Sequence, residues 1–494
     1  MKRILSIVLA FCVAIGLAAC GNTNENVHVQ TTEGAAQSKP VEQQNACFQA
    51  GFAMVDITPK DSMPSGSSGN THEHMSEGYY SRLEGRSVAL KDADGQIMIF
   101  MTCDISWFPG HLSPQVRNKI SKELGIEEDY IILSGTHTHA SVDTSRTEMP
   151  VVTKYNDLFI KNMIQVAKDS VEDLKPAEVY VGSVMTENMN HVRRYFMDDG
   201  SLDGDNTYGT GTKRVAHETE ADRELQIMKF VRESGKDIVI TNFQAHPHLE
   251  GESNNLSAQT VGAIRDAVEE KLDARALHWQ GAAGNVNTHG SLEGESPYPR
   301  SNAGRVAYGN AMGDYVVSVY DSLEKVNAGK IQVRMTVYEG KVNHNYDHLL
   351  SYASQIETYF ASGQSPKAAA TYAHELTASC DLRINSYYHA ARITKNAALG
   401  ASKEMKLYAW SFGDVGGVVL PYELFDTAGM QMKEQSPFER TFILGYSHPS
   451  YGGYIPTEEA FANGGYEADN STFVPGTSEE MVECYLNMLN DMHE

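Results

Sequence analysis

The stretch IILSGTHTHASVD, Ile131 to Asp143, places two imidazoles one residue apart, in His137 and His139. An imidazole does two jobs well near neutral pH: it ligates a divalent metal through a ring lone pair, and it takes up or returns a proton. Apolar Ile131–Leu133 runs into Ser134, Gly135 and Thr136, so the pair stands where a buried strand hands over to a loop. Other apolar runs end the same way. Ile238–Phe243 leads into QAHPH, with His246 and His248. Val418–Leu420 leads into PYE, with Glu423, and Thr441–Leu444 into GYSHPSYGGY, with His448 and Tyr454. Met101–Asp104 closes on a carboxylate, and Ala276–Trp279 opens into the glycine- and amide-rich loop QGAAGNVNTHG. Two histidines and a carboxylate, with one position left for water, form the shell of a catalytic zinc ion. Each candidate also has a local reading: a loop histidine bonded to backbone, a solvated glutamate, a tyrosine that packs. His289, His344, His348 and His389 read as surface or capping residues.

Residues so far apart in the chain need a fold that gathers strand ends. In open α/β sheets, ligands bind beyond the carboxyl ends of the strands, which is where these candidates fall. Ile97–Cys103 reads as a strand. Ser113 as N-cap and Pro114 in the first turn open a helix with Val116, Ile120 and Leu124 on one face, and Gly125 stops it. A strand Tyr130–Leu133 follows. A helix from Asp157 carries Ile160, Met163, Ile164, Ala167, Val171 and Leu174 at helical spacing and ends before Pro176. The strand Ile238–Phe243, a helix from Ser257 to Leu272 and the strand Ala276–Trp279 repeat the alternation. The pattern predicts an α/β fold of mixed β-sheets flanked by helices, with 47–494 as a single large domain.

The composition excludes some partners. With 40 basic against 64 acidic residues the net charge is −24, which leaves nothing to neutralise nucleic-acid phosphates. At the N-terminus, Lys2 and Arg3 precede the apolar run Ile4–Ala14 and then Leu17-Ala18-Ala19-Cys20. The run is too short to span a bilayer and has the layout of a secretory signal. Its LAAC ending resembles a bacterial lipobox, in which Cys20 is lipidated and becomes the mature N-terminus. Residues 1–20 are therefore expected to be a lipoprotein signal, 21–46 a polar tether, and the protein to be exported and lipid-anchored to the bacterial cell envelope. Cys47, Cys103, Cys380 and Cys484 show no C-x-x-C spacing, and their pairing is open.

GFAMVDITPKD, LSGTHTH, NFQAHPH, LPYELFDTAG and GGYIPTEEAFANGGYE, in that order, resemble the neutral (non-lysosomal) ceramidase family from Gly51 to about residue 490. The resemblance implies an α/β catalytic domain with one zinc ion in a deep pocket, hydrolysing the amide of N-acylsphingosine to sphingosine and a fatty acid. It implies His137, His246, Glu423 and Tyr454 as zinc ligands, with Tyr422 where the family usually has glycine. His139 becomes a pocket residue suited to proton handling. The segment NMNHVRRY places Asn190, Arg193 and Arg194 as possible substrate contacts, and Arg193 with Asn287 is expected to steady the oxyanion. Asp104 is expected to orient a ligating histidine.

Two departures stand out. The family's G-D-V-S-P loop corresponds to Gly284-Asn285-Val286-Asn287-Thr288, so Asn287 replaces a serine. An amide can still donate to an oxyanion, which points to activity with altered substrate choice. Set against the family, the sequence is also expected to comprise the catalytic domain only, without the family's C-terminal immunoglobulin-like domain. Two alternatives to a ceramidase remain: a zinc hydrolase of another N-acyl amide or ester, and a non-catalytic surface lipoprotein that binds a lipid-like or N-acyl ligand.

Overall fold

A computed structural model describes residues 47–65, 74–250 and 253–493; the expected signal, tether and lipidated Cys20 lie outside them. Two sheets carry the architecture. In the larger, eight strands run in the order 275–280, 238–243, 224–232, 175–185, 49–56, 84–91, 97–103 and 131–135, with Glu324–Val326 paired beside Lys175–Met185. Most pairs are antiparallel. The last pair at each end is parallel: Ile238–Phe243 with Arg275–Gln280, and Ile97–Cys103 with Ile131–Gly135. Being buried on both faces, these strands are continuous apolar runs rather than alternating ones.

The two ends of this sheet meet. Phe100 from one parallel pair lies 4.9 Å from Trp279 of the other, and Gln280 Nε2 donates to the Thr136 carbonyl at 3.2 Å. The smaller sheet runs Ile331–Lys341, Ser402–Phe412, Val415–Val419, Arg440–Leu444, and its last pair is again parallel. Buried Asn242 joins the two sheets: its Nδ2 donates to the Trp279 and Ile443 carbonyls at 3.0 and 2.9 Å, and its Oδ1 accepts from Ile443 N–H at 3.0 Å. A fully satisfied buried amide of this kind fixes register as well as adding stability. Trp279, Trp410, Phe100 and Phe442 fill the space between the sheets.

The helices cover the outer faces. Pro150–Glu172 buries Val152, Tyr155, Phe159, Met163 and Val166 at helical spacing. It begins well before the expected Asp157, because Pro150 at the first helical position starts it. Ser113 is the first residue of its helix rather than the cap, which is Leu112; Gly125 closes that helix at φ 69°. Three helices, Leu350–Ala361, Pro366–Leu376 and Tyr387–Ala397, are inserted between the antiparallel partners Ile331–Lys341 and Ser402–Phe412 and have a small core of their own. The described residues form one compact unit, in which Cys47, Cys103, Cys380 and Cys484 carry free thiols. Among the described residues no helix is long and apolar enough to cross a membrane.

Candidate metal centre

The ends of the parallel-paired strands converge on one point. Beyond Gly135 the chain turns so sharply that His137 takes a left-handed backbone, φ 60°. That region costs a non-glycine residue about 1–2 kcal/mol and concentrates at functional sites. Backbone bonds hold the turn: Thr136 N–H to Cys103 O at 2.9 Å and His137 N–H to Ile105 O at 3.0 Å. Gly135 is required, since a Cβ there would stand 2.6 Å from Trp107 Cα. The His137 ring lies flat on Tyr446, centroids 3.6 Å apart.

Both candidate imidazoles have a fixed tautomer. His137 Nδ1 is 2.7 Å from the Ser106 carbonyl, and His246 Nδ1 is 2.8 Å from that of Ala283. A carbonyl only accepts, so Nδ1 carries the proton in the neutral ring and Nε2 presents its lone pair to the centre. Glu423 is aimed at the same point by a two-residue parallel ladder that sets it opposite Tyr454, and its N–H donates to Gly453 O at 3.0 Å. Glu423 Oε2 lies 3.3 Å from His246 Nε2 and 3.5 Å from His137 Nε2. Neither His246 Nε2 nor Glu423 Oε2 has a hydrogen-bond partner among the described residues. Two donors bound to one tetrahedral zinc at its usual bond lengths stand about 3.4 Å apart. Spacing and donor types therefore fit that ion.

Electrostatics agree. Burial, foremost, pushes the Glu423 carboxyl up to about 8, with Arg193 opposing. Burial, reinforced by His246 and His139, drives His137 well below the usual imidazole range, and burial, then Arg193 and His139, does the same to His246. Burial and then Arg193 hold His139 down at about 4. Imidazoles held neutral in this way keep Nε2 lone pairs free to ligate a cation, and a cation would in turn favour the ionised Glu423 carboxylate. His139 Nε2 is 3.2 Å from His137 Nε2, and with His246 the two form a group whose ligand atoms lie within 4.8 Å of one another. His139 is thus placed within reach of the same point.

The remaining expected residues lie around this point. Tyr454 hydrogen-bonds Glu423 and the Arg193 guanidinium. Arg193 stands behind it, its Nε on Glu467 at 2.8 Å and one Nη on the Gly284 carbonyl at 2.9 Å. Asn287 forms a bridge beside His246, with a buried Oδ1 that has no hydrogen-bond partner among the described residues. Asn190 and Arg194 are spent elsewhere: Asn190 donates to the Asp222 and Gln244 carbonyls, and Arg194 pairs with Glu218 and Glu467. Asp104 orients no histidine. Arg265 holds it at 2.9 and 2.7 Å, and backbone carbonyls fix the tautomers instead. His448 packs on Tyr408 away from the centre.

Sequence reasoning missed Tyr446, Tyr466 and Glu467. Aromatic stacking on a ligand, or a carboxylate behind an arginine, leaves no local pattern. A second group, His191, His217 and Glu295, also gathers its ligand atoms within 4.8 Å. His217 Nε2 and Glu295 Oε1 are 2.5 Å apart, closer than two donors on one ion can stand, and make a hydrogen bond. Outside Glu423 and Tyr454 opens a cavity of about 460 Å³, walled by Trp107, Tyr451, Tyr466 and the inserted helix Tyr387–Ala397.

No protein-family model matches the chain. Solved structures do. A ceramidase complexed with C2 superposes with a TM-score of 0.69 at 14% identity, over 91% of this chain and 75% of that one. A neutral ceramidase from Pseudomonas aeruginosa gives 0.65 at 14% identity, over 90% and 74%. The mixed α/β architecture expected from the sequence is present, and it is the fold of these ceramidases.

Proposed function

We propose that the chain is a zinc-dependent, ceramidase-like hydrolase that cleaves a linear amide in an N-acyl, lipid-like substrate, with N-acylsphingosine as the reference substrate. One observation carries the reading: two imidazole Nε2 atoms of fixed tautomer and a buried carboxylate oxygen meet at 3.3–3.5 Å. His137, His246 and Glu423 would hold one zinc ion, joined by Tyr454. When bound, the ion supplies Lewis acidity, which polarises a carbonyl and makes water acidic enough to attack near neutral pH.

The chain's own groups do the rest. His139, beside His137, accepts the proton of the attacking water on Nε2 and returns it to the leaving nitrogen. Asn287 contributes a side-chain amide donor to the developing oxyanion. Arg193 acts through Tyr454, which it positions, because its donors are already engaged by Glu467 and Gly284. Export and anchoring through Cys20 belong to the same proposal and would set the enzyme at a membrane surface where such substrates reside.

A second reading, hydrolysis of a different N-acyl amide or ester, is favoured by Asn287 in place of serine and by the cationic wall of the cavity. The test is metal content together with fatty-acid release. Purified protein is expected to contain one zinc per chain and to release fatty acid from an N-acyl amide, and His137→Ala to do neither. A wild-type protein that takes up no zinc would refute the hydrolase and leave a binding lipoprotein.

A further inference from the structure

Among the described residues, every buried arginine of this acidic chain has an acid beside it. Arg86 meets Glu84 and Glu269, Arg265 meets Asp104, and Arg305 meets Glu250. Arg392, partly buried, differs. Among the described residues it has no carboxylate partner: Nη1 donates to Thr472 Oγ1 at 2.9 Å, and Nε and Nη2 donate to Asn470 Oδ1 at 3.3 and 3.0 Å. All these acceptors are neutral, and they occupy only part of a guanidinium that offers five N–H donors.

Its position is specific. A Cβ on Gly453 would come within 3.3 Å of Arg392 Nη2. Gly453 precedes Tyr454, and its carbonyl accepts the Glu423 N–H. Lys395 follows three residues on, on the same face of the helix Tyr387–Ala397, and both cations line the cavity that Glu423 and Tyr454 close. Lys395 makes no ion pair among the described residues. Its acidic neighbour Glu357 accepts from Thr394 at 2.9 Å instead. Glu423, already committed to the metal centre, is the sole acid among the lining residues. Burial and then Arg392 pull the Lys395 ammonium down, and burial pulls Arg392 down. Two like charges one helical turn apart repel each other, and partial burial removes water that would screen them.

The arrangement lacks one component, an anion in the cavity. We propose that Arg392 and Lys395 form an oxyanion subsite, so that the N-acyl compound hydrolysed here carries a carboxylate or phosphate in the part lodged against the inserted helices. This rests on the hydrolase reading for its chemistry, though not for its binding. The planar fork of Arg392 suits either oxyanion bidentately, and Lys395 adds a mobile point charge.

The experiment uses three ligands with the same dodecanoyl chain, derived from N-acylglycine, N-acylethanolamine and N-acylethanolamine phosphate. Each is made as a ketomethylene isostere, with CH₂ replacing the amide N–H, so the metal-loaded protein cannot cleave it. Calorimetric binding to wild type is expected to favour at least one anion over the alcohol by about tenfold or more, the range of a charge-assisted hydrogen bond. The stronger of the two anions identifies the group. Arg392→Gln should abolish the preference and Lys395→Gln should weaken it several-fold; Lys395 is exposed, so its variant tests the idea even if Arg392→Gln fails to fold. Equal binding of all three, binding of none, or a preference unchanged in both variants would overturn the subsite. Failure of the hydrolase is separate: amide versions that bind through Arg392 yet are never cleaved would refute hydrolysis and leave the subsite standing.

Discussion

Glu467 offers the sharpest test of how the centre is held. Its carboxylate is almost fully buried and accepts Arg193 Nε at 2.8 Å and Arg194 Nη1 at 2.9 Å. Glu467→Ala leaves Arg194 with Glu218, itself buried, but leaves Arg193 only Asp205, a half-exposed carboxylate at 3.3 Å. The loss therefore falls on Arg193. Removing one partner of a buried pair costs about 3–5 kcal/mol, and two charge-assisted hydrogen bonds at about 1.5–3 kcal/mol each give a similar figure. Glu467→Gln keeps an acceptor oxygen and loses the charge, so about half that cost is expected. Against a domain stability of about 5–15 kcal/mol, the alanine variant should shift the urea midpoint strongly. Because Arg193 hydrogen-bonds Tyr454, zinc affinity measured by chelator competition should also fall, by about 10–100-fold as for residues that orient ligands. A loss under about 1 kcal/mol with unchanged chelator competition would refute the chain of support from Glu467 through Arg193 to Tyr454. Equal losses for both variants would show that charge contributes nothing.

Glu423→Gln removes the only carboxylate of the centre, and zinc stoichiometry by elemental analysis should drop from one toward zero while the secondary structure by circular dichroism stays intact. In chelator-treated protein, His139 titrates at about 4 against an ordinary value near 6.5. The unfolded chain then binds more protons than the native one across that window, so stability is complete above it and is lost as pH falls from 6.5 toward 4. His139 alone should cost about 2 kcal/mol between pH 7 and pH 5, and urea midpoints that do not move would contradict its burial. Gly417→Ala would place a Cβ 2.2 Å from Trp410 Cζ2 in the core. With no room for the indole to shift, about 1–3 kcal/mol or more should be lost, readable as a lower melting temperature with zinc stoichiometry unchanged.

Strand ends were legible because burial on both faces writes a strand as an unbroken apolar run, as in Ile97–Cys103 and Ile238–Phe243, which match their expected bounds. Hence the positions of His137, His246 and Glu423 could be read from the chain: each follows such a run. The contacts that tune them could not. Ser106 and Ala283 act through carbonyl groups that every residue has. Tyr446 acts through a ring stacked on a residue more than three hundred positions away, and its φ of 54° has no sequence mark in a non-glycine residue. Asp104 misled because a carboxylate at a strand end looks the same whether it faces a histidine or, as here, Arg265. The helix from Pro150 starts ahead of the expected Asp157, with Val152 and Tyr155 buried at helical spacing in the added turns.

The three inserted helices leave the sheet where Lys341 pairs with Ser402, so the ladder is already closed at the point where they depart. Lengthening such an excursion adds little chain entropy, about 0.6 kcal/mol per doubling. None of His137, His246 and Glu423 lies within it, whereas Arg392 and Lys395 do. On the proposed reading, the metal centre and the anion subsite thus lie on separate stretches of chain. A lineage could exchange the residues between 342 and 401 without retuning the strands that carry the candidate metal centre, and grafting experiments can exploit the same seam.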